Sequence, residues 1–133
     1  MDDVFVGSVM SSPVHTVRAD TALGTAGELM LEHGIGSVIV VDEDDKLEGI
    51  LTATDFVRVV AEAETDSSAP VSTEMSTDIT TTTADQSIQS VANVMLDHEF
   101  HHVPVVDDGT VIGVVTTTDL TAYLSTREAP TPA

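Results

Sequence analysis

Two short segments hold the residues best suited to chemistry. Each reads Gly, two apolar residues, Thr, any residue, Thr, Asp, once at 49–55 and again at 113–119. In both, an apolar stretch that favours a strand runs into a stretch that favours a helix. Hydroxyls and free backbone N–H groups at a helix N-terminus favour an anion such as a phosphate. A nearby carboxylate can accept hydrogen bonds from neighbouring ribose hydroxyls. The spacing therefore suits a nucleotide, with Thr toward the phosphate and Asp toward the ribose.

The same residue types have a simpler use. Thr and Asp are common helix N-caps, and a single turn of this kind is usually nothing more than a cap. Two copies in matching sequence context strengthen the ligand hypothesis, but the capping interpretation stays open.

The two segments belong to a longer internal repeat. Shifting the sequence by 65 positions aligns Met10-Ser11 with Met75-Ser76 and Met30-Leu31 with Met95-Leu96. One residue is then lost in a turn, and Thr54-Asp55 matches Thr118-Asp119 at a shift of 64. Self-similarity at a fixed period indicates a repeated supersecondary unit. Because each copy is too small to bury a core well alone, two copies predict a pseudo-twofold pair.

The elements that must position these segments repeat in the same order. Short β-prone stretches come first, at 14–17 and 79–83, followed by amphipathic helical patterns at 21–33 and 86–98. Apolar strands at 37–41 and 103–106 then pair as hairpins with strands at 47–51 and 111–115. Final helices are predicted at 55–64 and 119–125. The fold class is α/β (α+β), with two β-α-β-β-α units packed through their sheets.

Three segments follow from this order. We expect residues 1–66 to form the first domain with an N-terminal lead, and residues 67–126 to form the second with its linker. We expect residues 127–133 to be a disordered tail.

Composition excludes several classes of protein. The 133 residues include 23 acidic and only 4 basic side chains, a formal net charge of −19, so a nucleic acid or an anionic membrane surface would be repelled. There is no cysteine, so we expect no disulfide and no thiolate site. No apolar run is long enough to span a membrane, and we expect no secretory signal. We expect a cytoplasmic protein. So many carboxylates repel one another, and high salt screens this repulsion. The acidity therefore indicates a halophilic organism, and we expect an archaeon.

The ordered set of motifs resembles a tandem pair of cystathionine-β-synthase (CBS) domains, a Bateman module. The resemblance covers about residues 6–125 and rests on VMSSP at 9–13, on VIVVD and VPVVD at 38–42 and 103–107, and on the two Thr-x-Thr-Asp segments. With no catalytic domain attached, the chain looks like a stand-alone CBS-pair protein. The resemblance implies two clefts between the repeats, which in the family bind adenosyl ligands such as AMP, ADP, ATP or S-adenosylmethionine. It also implies a homodimer.

The resemblance assigns roles to matching positions. Asp55 and Asp119 carry over to the ribose hydroxyls, and Thr52, Thr54, Thr116 and Thr118 carry over to the phosphate side. The adenine side is implied to comprise Val14, Thr16, Gly36, Ser37, Val38, Ile79, Thr81, His101, His102, Val103 and Pro104.

The sequence departs from the family in its scarcity of cations. Arg58 lies one helical turn after Asp55 and could face an anion, whereas the matching residue in the second copy is Ala122. The clefts are therefore not expected to be equivalent. AMP or a cationic sulfonium is easier to hold than ATP, unless Mg²⁺ or K⁺ accompanies the phosphates. His101 and His102 point to opposite faces of a strand, so we predict no metal site, and no catalytic residue either.

Two hypotheses of different class remain. The first is a regulatory module that senses an adenosyl ligand, signals by conformational change and acts on an unknown partner protein. The second is a ligand-free module for oligomerisation or protein interaction, in which the Thr-Asp turns are only caps.

Overall fold

The computed structural model of the chain describes residues 4–62 and 66–127. The predicted helix end at 63–64 and the tail at 128–133 lie outside the described residues. The elements are α1 (Val6–Val9), β1 (Thr16–Val17), α2 (Leu23–His33), β2 (Ser37–Val41), β3 (Leu47–Thr52), α3 (Ala53–Glu62), a 3₁₀ turn (Val71–Thr73), α4 (Ile88–His98), β4 (His102–Asp107), β5 (Thr110–Thr116) and α5 (Thr117–Arg127). The mixed α/β class predicted from the sequence is confirmed.

The residues pack into two compact units, which we name after the motif carboxylate that each contains. The Asp55 unit comprises Val14–Ile79 and Gly109–Val111. The Asp119 unit comprises Met1–Pro13, Thr80–Asp108 and Ile112–Ala133. Each unit thus takes its leading segment from the other repeat, and this differs from a division of the chain at residue 66. The reason is burial, because Val6 lies in the core of the Asp119 unit and Val71 in that of the Asp55 unit.

The Asp55 unit contains a three-stranded sheet of order β1-β2-β3. β1 pairs with β2 in parallel, and β2 pairs with β3 antiparallel across the acidic turn 42–45. Ser37 lies opposite Thr52 in this register. The start of β2 and the end of β3 therefore meet where α3 begins.

The Asp119 unit repeats the hairpin but not the full first strand. β4 and β5 form a two-stranded sheet, and the predicted strand at 79–83 is reduced to a parallel bridge between Thr82 and Val105. In the Asp55 unit the N–H of Ile39 donates to the carbonyl of His15. The residue matching Ile39 is Pro104, which has no N–H to donate. The missing donor explains why the strand does not extend.

Each unit has its own apolar core beside its sheet. In the Asp55 unit, Leu23, Ala26 and Met30 of α2 bury against β2 and β3, as their helical spacing predicts. In the Asp119 unit, Val91 and Met95 of α4 do the same. Leu96, an apolar residue of the same helix, is 77% exposed. It follows Met95 directly, and neighbouring helical positions are about 100° apart.

Two glycines allow the leading segments to approach the sheets. A Cβ on Gly113 would lie 2.7 Å from Sδ of Met10 and 3.0 Å from the carbonyl oxygen of Ser11. A Cβ on Gly49 would meet Sδ of Met75 in the same way and would lie 3.1 Å from the carbonyl oxygen of Ser76. The glycine of each Thr-Asp segment is thus explained by the Met-Ser pair that packs on it.

This packing gives a stability prediction. Gly49→Ala should lower the free energy of unfolding by about 1–3 kcal/mol, because the added methyl group overpacks the contact. Urea denaturation of the wild type and the variant would measure the loss. The control is Met75→Ala, in whose background the same Gly49→Ala change should cost less. An equal cost in both backgrounds would contradict the account.

Candidate functional site

Asp55 is a nearly buried carboxylate, 5% exposed, in the first turn of α3. Its Oδ2 accepts hydrogen bonds from the backbone N–H of Thr52 at 2.8 Å and from the Thr52 hydroxyl at 3.2 Å. Its Oδ1 accepts from Nη1 of Arg58 at 2.8 Å, and the two residues of this salt bridge lie one helical turn apart. The pairing explains how a charge can be buried here, since an unpaired one would be strongly disfavoured.

Asp119 occupies the matching place in α5 but has different partners. Its Oδ2 accepts from the backbone N–H of Thr116 at 2.9 Å. The hydroxyl of Ser11 donates to Oδ1 at 3.1 Å and lies 3.4 Å from Oδ2. Asp119 is half-buried. Its Oδ1 is bonded by the Ser11 hydroxyl, whereas the Oδ1 of Asp55 is bonded by the Arg58 guanidinium.

In both units the motif Thr and Asp cap a helix reciprocally. The N–H of Asp55 donates weakly to the Thr52 hydroxyl at 3.4 Å, and the N–H of Asp119 donates to the Thr116 hydroxyl at 3.1 Å. This is a capping box with Asp in place of Glu. It starts α3 and α5 two residues before the predicted 55 and 119. The capping interpretation is therefore correct for the bonds within the motif.

Capping does not use up the carboxylates. The backbone bond of each cap goes to Oδ2, whereas Oδ1 faces Arg58 in one unit and Ser11 in the other. Because each carboxylate oxygen can accept about two hydrogen bonds, Oδ1 keeps acceptor capacity for a ligand hydroxyl. The cap holds the carboxylate in a fixed orientation, while the second oxygen can still accept a further hydrogen bond.

The other predicted residues of the Asp55 unit lie on elements that meet near this carboxylate. The carbonyl of Gly36 accepts from the N–H of Ala53 at 3.0 Å, and Ser37 is buried opposite Thr52. Thr16 is exposed and pairs with Ile39, beside half-buried Val14. Thr54 is exposed on the first turn of α3. The Val38 side chain is fully buried in the core, which leaves only its backbone for a ligand.

In the Asp119 unit, His102 stands out among the predicted residues. It is half-buried at the start of β4, and its Nδ1 is buried with no hydrogen-bond partner among the described residues. Burial lowers the pKa of His102 from 6.5, the charge of His101 lowers it further, and the charge of Asp119 opposes both. A ligand with a polar edge could satisfy this buried nitrogen.

The remaining predicted residues of this half fall into separate groups. Thr81 and Val103 line a cleft of about 210 Å³ whose other lining residues, between Thr82 and Val94, do not include Asp119 or His102. Val103 and Pro104 are fully buried, so their side chains belong to the core. His101 and Thr118 are exposed. Ile79 is half-buried and falls in the range of the Asp55 unit.

Ser11 contacts the candidate site, although the sequence assigned it no ligand role. Its hydroxyl bonds the carboxylate of Asp119 across 108 positions of the chain. The signal was available, because Met10-Ser11 repeats as Met75-Ser76. The repeat alone could not reveal that each leading segment packs in the unit of the other copy.

Comparison with known proteins identifies the family. The CBS domain model matches residues 6–62 and again residues 71–126, so the chain belongs to the CBS domain family and carries two such domains. Among curated relatives, hypoxic response protein 1 of Mycobacterium tuberculosis is 33% identical over 117 residues, which cover 87% of this chain and 82% of the relative.

Two solved structures are close in fold. The CBS domain pair of protein MJ0100, in complex with 5′-methylthioadenosine and S-adenosyl-L-methionine, superimposes with a TM-score of 0.88 at 27% identity, covering 95% of this chain and 99% of that one. Hypoxic response protein I with two coordinated zinc ions gives a TM-score of 0.81 at 31% identity, covering 91% and 99%. The predicted tandem CBS pair is confirmed. Within the described residues, no helix is long and apolar enough to cross a membrane.

The position of His102 predicts a pH effect on stability. Because its pKa is lowered from 6.5 in the folded chain, the unfolded chain binds the proton more readily, and acidification favours unfolding. The contribution of His102 is fully present above pH 6.5, falls as the pH drops toward the lowered pKa, and levels off below it.

Urea denaturation at several pH values would measure this effect. His102→Gln should remove this part of the pH dependence, whereas His98→Gln, at an exposed position of the same unit, should retain it. An NMR titration of His102 with a midpoint at or above 6.5 would contradict the interpretation.

Proposed function

We propose that the chain is a regulatory module that binds an adenosyl ligand, from the group AMP, ADP, ATP and S-adenosylmethionine, and signals by conformational change to a partner protein. The observation that carries this proposal is the repeated carboxylate of Asp55 and Asp119. Each is fixed by a capping box through Oδ2, and its Oδ1, which already accepts from Arg58 or Ser11, keeps acceptor capacity for a ligand hydroxyl. Vicinal ribose hydroxyls are donors that suit such an acceptor.

Two further facts support an adenosyl ligand. The Nδ1 of His102, in the same unit as Asp119, is buried without a hydrogen-bond partner among the described residues, and the polar edge of a base could satisfy it. The MJ0100 domain pair, similar in fold over nearly the whole chain, was solved with two adenosyl compounds. Mg²⁺ would assist binding only of a polyphosphate such as ATP, because its positive charge would offset the acidic surroundings.

We propose no catalytic role and no resident metal. No group of three or more His, Asp or Glu side chains in residues 4–62 and 66–127 is arranged to hold a metal ion. The cytoplasmic location and halophilic origin stay predictions from composition.

Thermal denaturation tests the ligand directly. In molar KCl, which screens the charge of −19, AMP or S-adenosylmethionine at 100 times its Kd should stabilise the fold by about 2.7 kcal/mol. Asp55→Ala with Asp119→Ala should abolish the rise in Tm. Asp97→Ala removes an exposed carboxylate elsewhere and should keep it. The proposal fails if AMP, ADP, ATP and S-adenosylmethionine all leave the Tm of the wild type unchanged.

We also propose a homodimer, which is compatible with the ligand-free alternative of an oligomerisation or protein-interaction module. The supporting observation is a set of large apolar side chains exposed on helices. Val57 and Val60 of α3 are 67% and 78% exposed, and Leu31 of α2 is 86% exposed. Water contact of this kind is costly, and association would remove it.

Light scattering coupled to size exclusion would test the dimer. Val60→Asp should shift the molar mass toward that of a monomer, because it places a charge on the apolar face. Thr25→Asp adds the same charge at another exposed position and should leave the mass unchanged. A monomeric wild type at tens of micromolar would refute the dimer.

A further inference from the structure

The two motif carboxylates differ in the charge that accompanies them. Asp55 is paired with Arg58, whose side chain is 52% exposed. Only one guanidinium nitrogen is used in the described bond to Asp55, and a guanidinium has five donors in a planar fork. Arg58 can therefore hold the carboxylate and offer other donors to a ligand at the same time.

Among its described contacts, Asp119 has no counterpart of this cation. The residue three positions after Asp119 is Ala122, and the bonds of the carboxylate come from the neutral groups of Ser11 and Thr116. His102, the nearby titratable group, is neutral above pH 6.5, because its pKa lies below that value. The local charge is thus about zero at Asp55 and about −1 at Asp119.

We infer that Arg58 selects for phosphate, so that the Asp55 site takes a phosphate-bearing adenosine and the Asp119 site takes an adenosine without phosphate, neutral or cationic at its 5′ substituent. This inference rests on the proposed function and assigns a ligand class to each site. At Asp55 the phosphate gains a charge-assisted hydrogen bond, the stronger class of such bonds. At Asp119 it meets an uncompensated carboxylate, which repels it.

Calorimetry with AMP and adenosine, which differ only by the phosphate, separates the sites. The Asp119→Ala variant keeps the Asp55 site and should bind AMP roughly 10- to 100-fold more tightly than adenosine, the range expected for a hydrogen bond to a charged group. The Asp55→Ala variant keeps the Asp119 site and should bind adenosine more tightly than AMP. Working at pH 8 keeps His102 neutral.

A transfer of the arginine provides the matched test. Ala122 is exposed on α5, so Ala122→Arg is tolerated sterically. Added to Asp55→Ala, it should reverse the preference toward AMP. Arg58→Ala in the Asp119→Ala background should remove the preference. Because Arg58→Ala also leaves Asp55 unpaired and can destabilise the fold, the Ala122→Arg variant provides an independent readout.

The outcomes distinguish the two levels of the argument. One contrary outcome is that both sites bind adenosine and AMP equally well. Another is that Ala122→Arg leaves the preference unchanged. Either outcome shows that phosphate selection by Arg58 is wrong, while the proposed function stands. If the wild type binds neither AMP nor adenosine nor S-adenosylmethionine, the proposed function and this inference fall together.

Discussion

Much of the structure depends on one interaction, the reciprocal pairing of a threonine and an aspartate where a strand becomes a helix. The backbone N–H of Thr52 and of Thr116 is satisfied by the carboxylate three residues on. Such caps typically contribute about 0.5–2 kcal/mol. The same bonds fix the carboxylate against the sheet, and the strand register places Ser37 opposite Thr52. A stabilising cap thereby presents a rigid acceptor at one end of a sheet, and the two uses of the motif are compatible.

The order of helices and strands could be predicted because its signals are local. Apolar periodicity, the positions of turns and the internal repeat gave the hairpins and the buried faces of α2 and α4. The reduction of the strand at 79–83 to a single bridge was not predicted, because its pairing depends on Pro104 in a neighbouring strand. The start of α3 at Ala53 lies two residues before the predicted start, although the Thr-x-x-Asp spacing of its cap is itself a local signal.

The candidate site was predicted in part for the same reason. The motif carboxylates and Arg58 lie within one helical turn, so their proximity follows from spacing. The contact of Ser11 with Asp119 crosses 108 positions, and no local pattern contains it. His102 was chosen through a resemblance, and only the structure shows that its Nδ1 is buried without a partner among the described residues. Val38 and Val103 are fully buried, so their side chains belong to the core. The sequence could assign them to the adenine side only by their position in the motif.

The acidic composition has a narrower meaning once the sites are placed. Of the 23 acidic residues, Asp55 and Asp119 are the two with proposed ligand roles. The rest concern solubility and salt tolerance more than recognition. We propose that recognition is set locally, by Arg58 beside Asp55, a cation that the described contacts of Asp119 lack. Near-identical motifs can in this way serve different ligands through a substitution one helical turn away.

The central claim is that the capped carboxylates also bind a ligand, and amide NMR tests it most directly. The backbone N–H of Thr52 and of Thr116 donates to the carboxylate that would receive the ribose hydroxyls, so each amide reports on binding at its own site. On addition of S-adenosylmethionine or AMP in molar KCl, we expect saturable shifts of the Thr52 or Thr116 amide, together with those of Asp55 or Asp119. Unchanged amides at all four positions with both ligands at millimolar concentration would show that the motifs are caps and nothing more.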